Sequence, residues 1–292
     1  NYDGKAAGGV NTAFCIYNND LYTFIGQKVY RFNYAKNEFV FCLTLPDSDG
    51  NIRFARAYMG KLWIFVNNSG LYKIDMSTFK IEDHYILLTD YEGNSLRTFY
   101  IDKKGYIWFG TIDGIYIFDP TDGKLSHYKH SRTDPFSLPN NSIWEISEDR
   151  QSNVWIGTYS GTLCYVNIDE NNAFKTYHPQ NSGLNHTPVS AFAEDQQYLW
   201  VGTEGGGINR MNKATGEFSY ITSANSITSN NIKSLITDAG HNLWISTFMG
   251  GLDLYNVGRQ KVTNFKHTKG APHSLLVNDV RKTILEGDSG MW

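Results

Sequence analysis

Cysteine is scarce in this 292-residue chain: Cys15, Cys42 and Cys164 are the whole set, with no C-x-x-C spacing. That excludes a disulfide framework and a cysteine-based zinc site, and the three are expected to be small buried hydrophobes. No apolar run approaches the roughly 18 residues a membrane-spanning helix needs, so no membrane contact is expected from this segment. Charge of one sign is not in excess either, since Lys+Arg 26 against Asp+Glu 29 gives a net charge of −3. A chain so nearly neutral gives no case for nucleic acid. Helical periodicity of useful length is missing. So are a G-x-S-x-G nucleophile motif, a P-loop and a dinucleotide fingerprint. Residues 1–5 have no initiator methionine and no signal-peptide layout, so the sequence is expected to be a piece of a longer protein.

Aromatic residues are abundant: 19 Tyr, 17 Phe and 7 Trp, 15% of the chain. They fall on a repeat. Trp63-Ile-Phe-Val, Trp108-Phe-Gly110-Thr, Trp155-Ile-Gly157-Thr, Trp200-Val-Gly202-Thr and Trp244-Ile-Ser246-Thr align, each followed within a few residues by glycine. Tyr22 stands in the Trp place of a weaker copy, and Met291-Trp292 opens another. The steps between anchors are 41, 45, 47, 45, 44 and 48 residues. Each unit reads as four short strands rich in β-branched and aromatic residues, separated by polar or glycine turns. A repeat of four antiparallel strands predicts an all-β fold, a β-propeller of four-stranded antiparallel blades. The anchor count predicts seven blades, with the last split between the chain ends or incomplete. The whole chain, 1–292, is then one propeller domain with approximate blades 10–44, 52–90, 96–135, 143–184, 189–228, 232–274 and 280–292 plus 1–5.

In a propeller the second-to-third loops and the links from fourth to next first strand share one face around the channel, where binding residues collect. The second-to-third loops offer Asn67-Asn68-Ser69, Ile112-Asp113, Tyr159-Ser160, Glu204-Gly205 and Phe248-Met249. From these Asp113, Tyr159, Glu204 and Phe248 are candidate ligand contacts, because amides, acids and aromatic rings suit sugar hydroxyls and CH faces. Short exposed loops are polar in any case, which is the plainer reading. First strands aligned on Val10, Ile52, Leu96, Ile143, Val189, Ile232 and Val280 carry Asn11, Arg53, Arg97, Trp144, Ser190, Lys233 and Arg281 next. Arg53, Arg97, Lys233 and Arg281, with Trp144, are therefore candidate residues of a positive ring at the channel mouth, favouring an anionic saccharide. Long side chains packed between blades with their heads in solvent would give the same pattern. The eight histidines show no H-x-H or H-E-x-x-H spacing, so no metal, cofactor or catalytic residue is assigned.

The repeat unit Asn-x-Ile-x-x-Ile-x-x-Asp-x-x-Gly-x-Leu-Trp-Ile-Gly-Thr-x-x-Gly-Gly-Leu-x-x-Tyr-Asn resembles the two-component regulator propeller repeat. The chain carries it at 141–167 and 231–256 and, less well, at 95–119 and 189–212. The resemblance implies a periplasmic sensor region, the extracytoplasmic part of a membrane-bound histidine kinase of the Bacteroides-type hybrid two-component kind. Its implied partners are oligosaccharides, other domains of the same receptor and a second receptor copy in a homodimer. Residues 102–108 also resemble the Asp-box turn of sialidase propellers, although a hairpin held by an Asp side chain explains them as well. Two other readings stay open: a propeller lyase or glycosidase recruiting Glu204, Asp113 and His186, and a structural propeller with no small ligand.

Overall fold

The computed structural model describes residues 13–46, 50–88, 96–134, 136–159, 162–167, 174–177, 182–286 and 290–291. Among these, six sheets each hold four antiparallel strands hydrogen-bonded in chain order. The blades run 13–44, 52–85, 98–128, 143–177, 189–221 and 232–265. Their first strands contact one another from blade to blade and line the central channel. The seventh blade expected from the anchors is absent among the described residues: 280–291 supplies only a two-stranded ladder, Leu285–Glu286 with Gly290–Met291. A Trp-like anchor marks a second strand alone, so counting anchors overcounts blades wherever the third and fourth strands do not follow. Residues 1–12, assigned in part to that blade, lie outside the described residues.

A blade with a neighbour on each side buries both faces, so the alternation of its strands sorts side chains between the two neighbours. On Ile107–Thr111, Phe109 faces back into a cluster with Phe65 and Phe99 of the second and third blades. Trp108, one residue earlier, faces forward onto Ile143 and Ile156 of the fourth. The same division recurs with Trp155 against Val189 and Val201, and Trp200 against Ile232 and Ile245.

Each letter of the Trp-x-Gly-Thr core has a physical task. The indole N–H is a buried donor, and an aspartate in the first hairpin accepts it: Trp108 Nε1 to Asp102 Oδ2 at 2.8 Å, Trp155 to Asp149 at 2.7 Å, Trp200 to Asp195 at 3.0 Å, Trp244 to Asp238 at 3.1 Å. The other oxygen of Asp102 takes the backbone amides of Lys104 and Tyr106, so one side chain closes the hairpin and orients the ring. The hairpin-turn explanation of this motif therefore holds. Glycine leaves room for the next blade: a Cβ on Gly157 would lie 2.7 Å from Val189 Cγ1, and one on Gly202 2.6 Å from Ile232 Cγ2. Threonine fastens the following turn. Thr158, Thr203 and Thr247 donate from Oγ1 to the carbonyls of Thr162, Gly207 and Gly251 at 3.1, 3.0 and 2.8 Å.

Candidate functional site at the channel mouth

The geometry of the mouth starts from a fault in strand pairing. In four blades the ladder between first and second strands skips one residue, between Ile52 and Phe54, Ile143 and Glu145, Val189 and Ala191, and Ile232 and Ser234. The skipped residues are Arg53, Trp144, Ser190 and Lys233. A β-bulge leaves its extra residue unpaired and re-aims the side chain. The bulges thus take one residue in each of these blades out of the sheet pattern. Arg53, Trp144 and Lys233 are partly exposed there, whereas Ser190 stays buried with its hydroxyl on Gly202 O and Ile232 O. Arg97 occupies the same place in the third blade, just before Thr98–Ile101, with its amide on Gly110 O at 2.8 Å.

The second-to-third turns meet this row. The residue after the core threonine, or after Val66 in the second blade, donates its amide to the chain entering the same blade. Asn67 reaches Asn51 O at 3.1 Å, Tyr159 Ser142 O at 2.9 Å, Glu204 Pro188 O at 2.9 Å and Phe248 Asn231 O at 3.0 Å. One backbone position thus presents four different side chains to one face.

Two clusters result. In the first, the Arg97 guanidinium lies over Trp144 at 5.1 Å and over Tyr159 at 5.6 Å, and donates to Ser142 Oγ at 3.0 Å. The two rings are 5.4 Å apart, and Tyr159 is 53% exposed. Arg53 joins from the preceding blade by donating to Leu96 O, the residue before Arg97, at 3.2 Å. In the second cluster Lys233 bonds to the Glu204 carboxylate, and Arg281 bonds to Asp279 at 2.7 and 2.9 Å. Both cations stand over Phe248, at 5.6 and 5.5 Å.

Asp113 is apart from both, paired with Lys129 at 2.6 Å. The ring of free positive charge expected from sequence is therefore uneven, since Lys233 and Arg281 each carry a carboxylate of their own. Asn11 and Ser160 lie outside the described residues.

Below the mouth, the first strands bring Glu145 and Arg56 near Lys282 in the channel. Burial pushes the Glu145 carboxyl up, against the pull of Lys282 and Arg56. Desolvation beside the channel wall draws the ammonium of Lys282, an exposed residue, down, against the pull of Glu145. Arg56 donates to Phe99 O at 3.0 Å and lies 5.1 Å over Tyr100.

Four of the histidines, scattered in the sequence, turn out to form two structurally repeated pairs. His130 and His267 each place Nδ1 2.7 Å from a leucine carbonyl eight residues on, Leu138 or Leu275, and take an asparagine Oδ1 eleven residues on, Asn141 or Asn278, on their amides. The identical spacings were the available signal. His84 and His127 stack on Tyr72 and Tyr116 at 4.0 and 3.7 Å and place Nε2 2.6 and 2.7 Å from Ser69 O and Asp113 O, bracing two mouth turns from behind. His186 packs on the turn after Glu204: a Cβ on Gly206 would lie 2.2 Å from its Cβ. No group of three His, Cys, Asp or Glu among the described residues is placed to hold a metal.

Fold and mouth together define a class: a β-propeller, with six four-stranded blades among the described residues, whose blades share one scaffold and differ at the channel rim. Residues 90–113 and 137–160 match the family model described as two component regulator propeller. A curated relative, histidine kinase P4 of Formosa agariphila, is 26% identical over 265 residues, 84% of this chain and 18% of that protein. The chain thus spans less than a fifth of that relative's length. Among solved structures, PorZ, a surface component of the type-IX secretion system of Porphyromonas gingivalis, aligns with a TM-score of 0.65 at 14% identity, over 96% of this chain and 45% of that one. An extracellular domain assigned to a hybrid two component system of B. thetaiotaomicron aligns with a TM-score of 0.41 at 20% identity, over 94% of this chain and 41% of that one. The PorZ likeness is one of fold.

Proposed function

We propose that this propeller is the non-catalytic, extracytoplasmic sensing module of a two-component receptor, on the periplasmic side of the inner membrane. In this reading the channel mouth takes oligosaccharides. Binding biases how the receptor's domains sit in a dimer, by as much as the ligand's affinities for the two arrangements differ. The family repeat and the relative named as a histidine kinase support the class.

The observation that carries the mouth reading is a contrast within the repeat. The core threonines anchor their turns alike, and the very next residue changes from Tyr159 to Glu204 to Phe248. A scaffold held constant beneath varied, outward polar and aromatic residues suits recognition of a ligand with many hydroxyls. Calorimetry of the chain against a panel of neutral and charged oligosaccharides tests it. Saturable binding that falls in Tyr159→Ala or Phe248→Ala supports the reading, and silence across the panel overturns it.

The enzyme alternative has one observation in its favour, since His186 comes to the turn that carries Glu204. Against it, the Glu204 carboxylate is bonded to Lys233 and that of Asp113 to Lys129, in a different blade. Product analysis after incubation with the same panel decides: released oligosaccharides would establish an enzyme.

A further inference from the structure

Resting on that reading of the mouth as a saccharide site, we propose that the half built by blades two to four is an anion subsite. It takes a sugar residue bearing a carboxylate or sulfate between Arg53 and Arg97, with its ring against Tyr159. The four cations of the rim differ in how they are already paired. Lys233 is neutralised by Glu204, and Arg281 is held twice by Asp279. Among the described residues, Arg53 and Arg97 pair with no carboxylate. Arg53 gives one N–H to a carbonyl and Arg97 one to a hydroxyl, both neutral acceptors.

A guanidinium has five donors in a rigid fork, so most of each fork remains for a ligand. Stacking adds orientation. The Arg97 guanidinium lies over the rings of Trp144 and Tyr159, contacts that orient the side chain without using its N–H groups as hydrogen-bond donors. The Arg53 bond to Leu96 O brings the second fork to the residue next to Arg97. Two neighbouring forks, one oriented by aromatic rings, match the paired oxygens of a carboxylate or sulfate. The exposed part of Tyr159 offers an apolar surface beside them for the CH face of a pyranose. Phe248 offers a comparable ring in the other half, but the cations over it already have their counter-charges.

The test is calorimetry of the 292-residue chain with tetragalacturonate, a chondroitin sulfate tetrasaccharide and neutral cellotetraose. The expected result is binding of a charged tetrasaccharide that weakens with added salt and falls about tenfold or more in Arg53→Gln or Arg97→Gln. Lys233→Gln stays within about twofold, because it removes a charge already paired. Thermal melts check that the variants fold. Arg97→Lys, which keeps the charge but loses the fork, is expected to recover only part of the affinity. Cellotetraose binding as tightly as the charged probes, with Tyr159→Ala damaging and the arginine variants not, overturns the anion subsite and leaves the saccharide reading standing. Loss of affinity in Lys233→Gln equal to that in Arg97→Gln overturns the division between the two halves. No binding of any of the three removes both.

Discussion

The two ends of each blade obey different rules. At the hairpin end, four blades repeat one device, an aspartate accepting an indole N–H, and in three of them the ring is driven into the next blade. At the mouth end, one backbone position carries Asn67, Tyr159, Glu204 and Phe248 in turn. Burial explains the difference. An indole enclosed between sheets must have its N–H satisfied and its volume matched, whereas Tyr159 and Phe248, exposed at their turns, have neither constraint. The repeat is therefore strict where a substitution would cost stability and loose where it would change only what the surface presents.

The sharpest way to break this comparison is to cut a spoke. Trp108 is 0% exposed and spans the third and fourth blades. Trp108→Ala is expected to cost about 3–5 kcal/mol in urea unfolding, from lost burial, a cavity and an orphaned Asp102. Trp244 is the internal control. It is only half-buried and stacks on Phe265 of its own blade at 5.8 Å, and the chain beyond its blade forms a two-stranded ladder. Trp244→Ala should therefore cost clearly less. Equal losses would mean that burial between blades does not set the value of the ring.

A smaller effect tests the glycine of the same core. Gly157→Ala places a methyl 2.7 Å from Val189 Cγ1 and 2.9 Å from Val189 O, and a backbone atom cannot rotate away. The expected cost is about 1–3 kcal/mol, the range for overpacking. In the sixth blade Ser246 fills the corresponding place, its hydroxyl bonded to Ser234 at 2.8 Å and Thr283 at 2.7 Å. Ser246→Ala should cost less than Gly157→Ala, because it removes hydrogen bonds without forcing blades apart.

These residues also show what the sequence made legible. Trp-x-Gly-Thr announces itself because every letter is fixed by packing against a neighbour, and from its spacing the four-stranded blades follow. The blade count does not: among the described residues the stretch around Met291 forms only a two-stranded ladder with Leu285–Glu286. The rim residues Arg53, Trp144 and Lys233 are found by alignment, but not their cause. A bulge breaks the alternation of the strand and leaves no mark in hydrophobicity. The paired state of Lys233 was hidden for a further reason: Glu204 lies 29 residues away and in another blade, whereas Asp279 stands two residues before Arg281 and was open to view. Sequence spacing therefore predicted a ring of charge where the folded chain has half of one.

The aspartate clamps allow a subtler comparison, by pH. In Asp102 burial pushes the carboxyl up, and the bonds from Trp108, Tyr106 and Lys104 do not fully offset it. In the less buried Asp238 burial also pushes up, but the bonds from Asn242 and Trp244 win and hold the carboxyl below its usual range. The signs are opposite. Asp238 contributes stability that is present above the unfolded carboxylate pKa, about 3.9, and lost as pH falls through the folded value. Asp102 contributes a term favourable at low pH that disappears as pH rises through its raised value. Unfolding curves taken between about pH 2 and 6 should thus lose part of their acid sensitivity in Asp238→Asn and become more acid-sensitive in Asp102→Asn. The same direction of change in both variants would show that burial does not separate the two clamps.

The smallest expected effect is the one that most directly divides scaffold from surface. Tyr159 sits two residues beyond Gly157 and is 53% exposed. Its backbone amide, and not its ring, makes the bond to Ser142 O that holds the turn. Tyr159→Ala keeps that amide, so its stability change should stay within about 0.5 kcal/mol, as for an ordinary surface position. What it removes is one of the two rings that hold the Arg97 guanidinium, the one at 5.6 Å. Arg97 then keeps Trp144 and Ser142 Oγ but gains freedom on one side. The measurable consequence is loss of ligand affinity without loss of melting temperature. A drop in stability comparable to that of Gly157→Ala would mean that the mouth is part of the scaffold after all.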